Sequence, residues 1–170
     1  MSYLPDQLAP AVAASIEAAA TAPPLEWPGR FVQAMVAILN AEAPGSFMID
    51  EMPDKPGEVD ISNRDGAIIV HYRGSKYAVS PSADPVRQQR TFDVDVHVVA
   101  RGLKGRTGAP NAMELVRKMF QARRVEGAGP LSVVADGFHA EDGGIWDYVI
   151  SFRGQLPAVG GHWPRHGERP

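Results

Sequence analysis

The segment Arg90–Met119 constrains the fold more than any other part of the chain. Within RTFDVDVHVVA, Phe92, Val94, Val96 and Val98 alternate with Asp93, Asp95 and His97. Successive side chains of a strand point to opposite faces, so this pattern predicts a strand with one apolar and one polar face. Val99 and Ala100 make both faces apolar at its far end. A basic, glycine-punctuated loop follows, and beyond it Ala112, Met113, Val116, Met119 and Phe120 recur at steps of three and four. That spacing draws one apolar stripe along a helix. Both elements demand a covering surface, while the loop between them is left to meet something outside the core.

The flanking segments supply candidates for that cover. Residues 7–21 are alanine-rich and read as a helix with a thin stripe (Val12, Ile16), ended by Pro23-Pro24. A second helix is expected from about Pro28 to Asn40, where Phe31, Met35, Ile38 and Leu39 form a stronger stripe suited to packing on a sheet. Phe47–Glu51 reads as a short strand, residues 52–66 as an acidic, turn-rich connection, and Ala67–Tyr72 as a strand entered through the Asp65-Gly66 turn. Gly74–Gln89, with two prolines and small polar residues, has the composition of a long exposed loop.

Downstream, the helix is expected to run from about Pro110 to Arg123, with Arg123 and Arg124 at its negative end. Leu131–Ala135 is a strand candidate, Asp136-Gly137 a turn, and Asp142-Gly143-Gly144 a hairpin turn. Ile145–Leu156 alternates again, with Trp146, Tyr148, Ile150 and Phe152 on one face, most simply as core. The sum is an α+β fold: a mainly antiparallel sheet of four or five strands, two main helices on one face, and an N-terminal helix. The expected organisation is a helical extension over residues 1–27, a domain over 28–156, and a mobile tail over 157–170 rich in Gly, Pro, Arg and His.

Composition narrows the chemistry. The absence of cysteine excludes a disulfide scaffold and a thiolate metal site. No run approaches the roughly 20 apolar residues of a membrane helix. The alanine-rich start lacks a basic leader, because no Lys or Arg precedes Arg30. The expectation is a chain made in the cytoplasm without a membrane anchor. The net charge of −3 conceals a segregation. Residues 1–63 carry two basic and nine acidic residues, and residues 64–124 carry twelve and five. Such asymmetry fits a nucleic-acid surface, opposite faces that attract copies of one chain, or merely solvated charge.

Asp93, Asp95 and His97 share a strand face and could converge on a divalent cation, but the solvent face of any half-buried strand looks the same. His71 and His97 become neighbours if their strands pair. No nucleophile elbow, phosphate-binding loop or His-Glu-x-x-His pattern accompanies them, and RGLKGRTG does not match GxxxxGK[ST]. No catalytic residue, cofactor or metal is therefore assigned, and no enzyme is expected. The basic residues Arg87, Arg90, Arg101, Lys104 and Arg106 flank the central strand and suggest contact with acidic groups or nucleic acid. Only Tyr77 offers an aromatic for base stacking in the long loop.

Read in order, AIIVHYRGSKY, a loop ending in Gln88-Gln89-Arg90, FDVDVHVVARGL, NAMELVRKMFQ and GGIWDYVISFRGQL resemble the Mu-like prophage minor tail protein family. That family is related in role to the tail terminator, or tail completion, proteins of long-tailed phages. The likeness covers about residues 28–156. It implies a structural, non-enzymatic protein of the virion tail, assembled in the host cytoplasm. Such proteins cap the tail tube as a ring, commonly of six copies, stop its polymerisation and present a surface to the head-side connector. The partners implied are copies of itself, the tail tube protein and the connector, with DNA only passing through the lumen. Gly74–Arg90 and Arg101–Gly108 are then the expected contact loops, with Arg87, Gln88, Gln89, Arg90, Arg101, Lys104 and Arg106 at interfaces or on the lumen. The alternative from another class is a nucleic-acid-binding accessory protein that uses the same basic loops. A small hydrolase is a third, with no nucleophile–base pair to support it.

Overall fold

The computed structural model of the chain describes residues 26–55, 59–80 and 87–159. The alanine-rich helix expected over residues 7–21 and the chain beyond residue 159 lie outside them. The described elements run α1 (Trp27–Glu42), β1 (Phe47–Glu51), β2 (Gly66–Tyr77), β3 (Arg87–Ala100), α2 (Ala109–Phe120), β4 (Ser132–Asp142) and β5 (Ile145–Val159). One five-stranded sheet has the order β1-β2-β3-β5-β4. The α+β architecture is as expected. The sheet is mixed, because β1 pairs parallel to β2 while every other pairing is antiparallel.

The alternation of β3 sets the two faces. Phe92, Val94, Val96 and Val98 are almost fully buried beneath α1 and α2. Ile150 and Phe152 of β5 and Ile68 and Val70 of β2 join them. Each helix turns its stripe to this face: Phe31, Val32, Met35 and Leu39 from α1, and Ala112, Met113, Val116, Met119 and Phe120 from α2. Gly154 is required here, since a Cβ at that position would lie 2.3 Å from the Phe92 ring and 2.9 Å from Leu131.

The helix α2 stops earlier than its pattern suggests. Ala122 adopts a left-handed φ of 65°, and its N–H bonds to the Leu131 carbonyl at 2.7 Å. Leu131 N–H returns to the Arg123 carbonyl at 2.9 Å, so residues 121–131 form a closed turn and not a last helical turn. Trp27 anchors this turn to α1 by donating its indole N–H to the Glu126 carbonyl, while Arg30 pairs with the Glu126 carboxylate, both at 2.9 Å.

Strand lengths depart most from the sequence reading. Gly74–Tyr77 belongs to β2 and Arg87–Gln89 to β3, so both ends of the expected long loop are paired ladder, with Gly74↔Asp93 through Tyr77↔Arg90 in register. Asp136-Gly137 is no turn. It lies inside β4, between two register shifts that bend this outer strand. Residues 157–159, expected as the start of the tail, instead pair with residues 87–89 as the end of β5. The Gly143-Gly144 hairpin turn is present, with φ of 56° and 83°, values that suit glycine at both positions.

Two parallel strands need a crossover of a dozen or more residues. Here residues 52–65 return the chain from the end of β1 to the start of β2, with no helix among the described residues. Val59, Ile61 and Met52 pack with Ala67, Ile69, Val99 and Ile145 on the second face of the sheet. Arg101 holds this crossover by donating Nη2 to the Ile61 carbonyl at 2.9 Å and Nε to the Arg64 carbonyl at 3.2 Å.

Candidate functional site

The helix-free face of the sheet carries a groove of about 1020 Å³. One end is apolar, formed by Met52, Val59, Ile61, Ile69, Val99 and Ile145. The other is lined by His71, Arg73, Asp95, His97, His139, Asp147 and Ser151. These polar residues come from β2, β3, β4 and β5, and the pairing brings them together. His71 is the direct cross-strand partner of Asp95, His97 of Val149, and Asp95 of Ser151.

Asp95 is the one buried charged side chain among the described residues, at 9% exposure. A carboxylate this far from water requires partners. Ser151 Oγ donates to its Oδ1 at 2.6 Å, and Arg73 Nε stands 3.5 Å from Oδ2. His97 Nδ1 lies 3.3 Å from both carboxylate oxygens of Asp147. The His97 ring lies 6.4 Å from that of His71 and meets the His139 ring edge-on at 5.7 Å.

Asp93, the third polar residue of the β3 face, is placed differently. Arg153 grips it with a two-pronged hydrogen bond, Nε to Oδ1 at 2.7 Å and Nη2 to Oδ2 at 3.1 Å. These bonds hold the Asp93 carboxyl below the usual aspartate range, against an opposing push from burial. The trio Asp93, Asp95 and His97 therefore does not converge. His71 takes the place the spacing offered to Asp93, as strand pairing allows. His139, Asp147 and Ser151 escaped the sequence reading. The only signal was that Asp147, Val149 and Ser151 alternate in phase with the β3 polar face, a relation visible only once the register is known.

The basic residues do not form one patch. Arg87–Arg90 and Arg101–Arg106 lie at opposite ends of β3, separated by about 33 Å of extended chain at roughly 3.3 Å per residue. Arg87 and Gln88 pair through the backbone with residues 159 and 158, and Gln89 Nε2 donates to Gln155 Oε1 at 2.8 Å. Arg90 donates to Ser75 Oγ at 2.6 Å and Tyr72 Oη at 2.7 Å. Its guanidinium also lies over the Trp27 ring at 4.7 Å and near Tyr77 at 5.7 Å, so it serves as a cation–π brace at the rim of the core. Arg101 is spent on the crossover carbonyls. Lys104 and Arg106 stand exposed, with no side-chain partner among the described residues.

The sheet has two lateral edges. β1 is short and ends in exposed Asp50 and Glu51. β4 is eleven residues long and exposed along most of its length, with Val134 at 48% and Phe138 at 57% exposure. An edge strand with no further strand beside it among the described residues, and with exposed apolar side chains, is a template for another chain. No helix of the described residues is long and apolar enough to cross a membrane.

Comparison with solved structures finds the same fold in a chain from the virion of a native gene transfer agent particle. The similarity has a TM-score of 0.52 at 14% sequence identity, covering 79% of this chain and 100% of that one. No curated protein sequence matches the chain. Its residues 35–167 match the Gp37 protein family, from the middle of α1 to beyond the end of β5. With most of its length inside that match, the chain belongs to the Gp37 protein family.

Proposed function

We propose that this chain is a structural protein of a phage or phage-like virion, and within that class a tail terminator. In this role it caps the tail tube as a ring of copies, stops the tube from growing and offers a surface to the head-side connector. It works through protein–protein contacts and not through catalysis. Membership of the Gp37 family and the fold shared with a gene transfer agent virion chain support the class.

The observation that carries the finer reading is the open edge of β4. A ring requires a contact in which one surface meets a different surface on the next copy. On β4, Val134 and Phe138 supply apolar area along a strand that is outermost among the described residues. Glu141 and Asp142 at its tip are acidic and exposed, whereas Lys104 and Arg106 at the same end of the sheet are cationic and exposed. A neighbour rotated about a ring axis can set one against the other. DNA binding draws less support, because Arg90 and Arg101 are engaged within the chain.

The test is tube assembly with the cognate tail tube protein, followed by negative-stain imaging. The expected result is tubes of limited length bearing a ring at one end, with Phe138→Glu leaving the chain folded but abolishing the ring. Tubes that grow to the same unregulated length with and without the chain would overturn the terminator reading.

A further inference from the structure

We propose that His71, Asp95 and His97 form a mononuclear site for a divalent transition cation of the zinc–cobalt–nickel class on the open face of the sheet. Each offers a ligand atom, and the three atoms lie within 4.8 Å of one another. A tetrahedral zinc ion with bonds of about 2.0–2.1 Å sets its ligand atoms about 3.3 Å apart. Small side-chain rotations of the two half-buried histidines therefore close the site without moving the backbone. Two imidazoles and one carboxylate suit zinc, cobalt or nickel, whereas magnesium and calcium prefer all-oxygen ligands.

The surroundings already supply the supporting contacts that such a site needs. Asp147 lies against Nδ1 of His97, so the tautomer with its proton on Nδ1 pairs with that carboxylate and has its Nε2 lone pair available to a metal. Ser151 donates to one oxygen of Asp95 and fixes the carboxylate plane. The buried carboxylate retains lone pairs, since an ionised aspartate accepts at about four positions. Arg73 is the opposing charge: its Nε lies 3.5 Å from Asp95 Oδ2, at the outer limit of an ion pair, and its side chain is 56% exposed. His71 makes no side-chain hydrogen bond among the described residues and faces Asp95 across the β2–β3 ladder. The remaining coordination positions point into the groove, where water completes the shell. The site stands whether or not the chain caps a tube.

The test is calorimetric titration of the full-length chain with Zn²⁺, and with Co²⁺ as a spectroscopic probe. The expected result is about one ion per chain, with visible Co²⁺ absorption bands from a low-coordinate nitrogen–oxygen site. His71→Ala and His97→Ala should each weaken binding at least tenfold. His162→Ala/His166→Ala, which removes the two histidines near the C-terminus, should leave it unchanged. Millimolar Mg²⁺ should not compete. A readout on the unaltered chain covers the case in which a variant misfolds. Zn²⁺ should protect His71 and His97, but not His162 or His166, from carbethoxylation mapped by mass spectrometry. Absence of binding, or binding and protection that follow His162 and His166, would overturn the site.

Discussion

The two faces of the sheet are built from the same strands and have opposite characters. The helix-covered face is closed by aromatic and aliphatic side chains: Phe31, Phe92, Phe120 and Phe152 are each essentially inaccessible. The open face has an apolar patch at one end only, under the crossover, and then His71, Asp95, His97, Asp147 and Ser151 in a groove. A side chain on the first face is held by close packing in every direction. A polar one on the second, such as Asp95 or His97, is held by a few polar contacts and borders the groove. Stability should therefore reside on one face, leaving the other free to vary in chemistry.

The comparison can be broken most directly at Phe152. Phe152→Ala should cost about 3–5 kcal/mol in urea unfolding, the usual range for emptying a well-packed aromatic site. Gly154→Ala comes next, and it tests crowding where the first substitution tests a void. Its methyl meets the Phe92 ring far inside contact distance, so a loss of about 1–3 kcal/mol is expected.

On the open face, Ser151→Ala removes one hydrogen bond to the buried Asp95 carboxylate and should cost about 1.5–3 kcal/mol. If it proves as damaging as Phe152→Ala, the distinction between the faces fails.

The smallest effect belongs to the Asp93–Arg153 pair. Arg153→Met should cost under about 1 kcal/mol at neutral pH, as expected for a pair near the surface. Its pH dependence has a definite sign. The folded-state pKa of Asp93 is depressed, so the pair's contribution is complete above the ordinary aspartate range and is lost as pH falls through the folded pKa. The stability gap between parent and Arg153→Met should therefore narrow in acid and be flat from pH 6 to 8. A gap that widens in acid would refute this account.

The covered face was largely legible in advance. The stripes of α1 and α2 and the apolar sides of β3 and β5 are periodic, and every residue of the α2 stripe is buried as read. Trp146 marks a limit. It shares the phase of Ile150 and Phe152 but lies beyond the helices, half-buried against the exposed Phe138. Turn signals misled where pairing overrode them. Asp136-Gly137 is accommodated in an edge strand by the register shifts around it, and Gly74 sits at a shift in β2. Polar residues of Gly74–Tyr77 became ladder against Asp93–Arg90, and those of Arg87–Gln89 against residues 159–157, so distant partners supplied their hydrogen bonds.

The sequence by itself determined the class of fold and which side of β3 is dry, because periodicities of two and of three to four are properties of the local chain. Tertiary structure alone decided that His71, Asp95 and His97 share one site while Asp93 is held by Arg153. It also decided that Arg90 and Arg101 serve the fold and that β4 is left as an open edge. Such outcomes depend on strand order and register, which join residues sixty and more positions apart, as Arg153 joins Asp93, and no local pattern encodes that pairing.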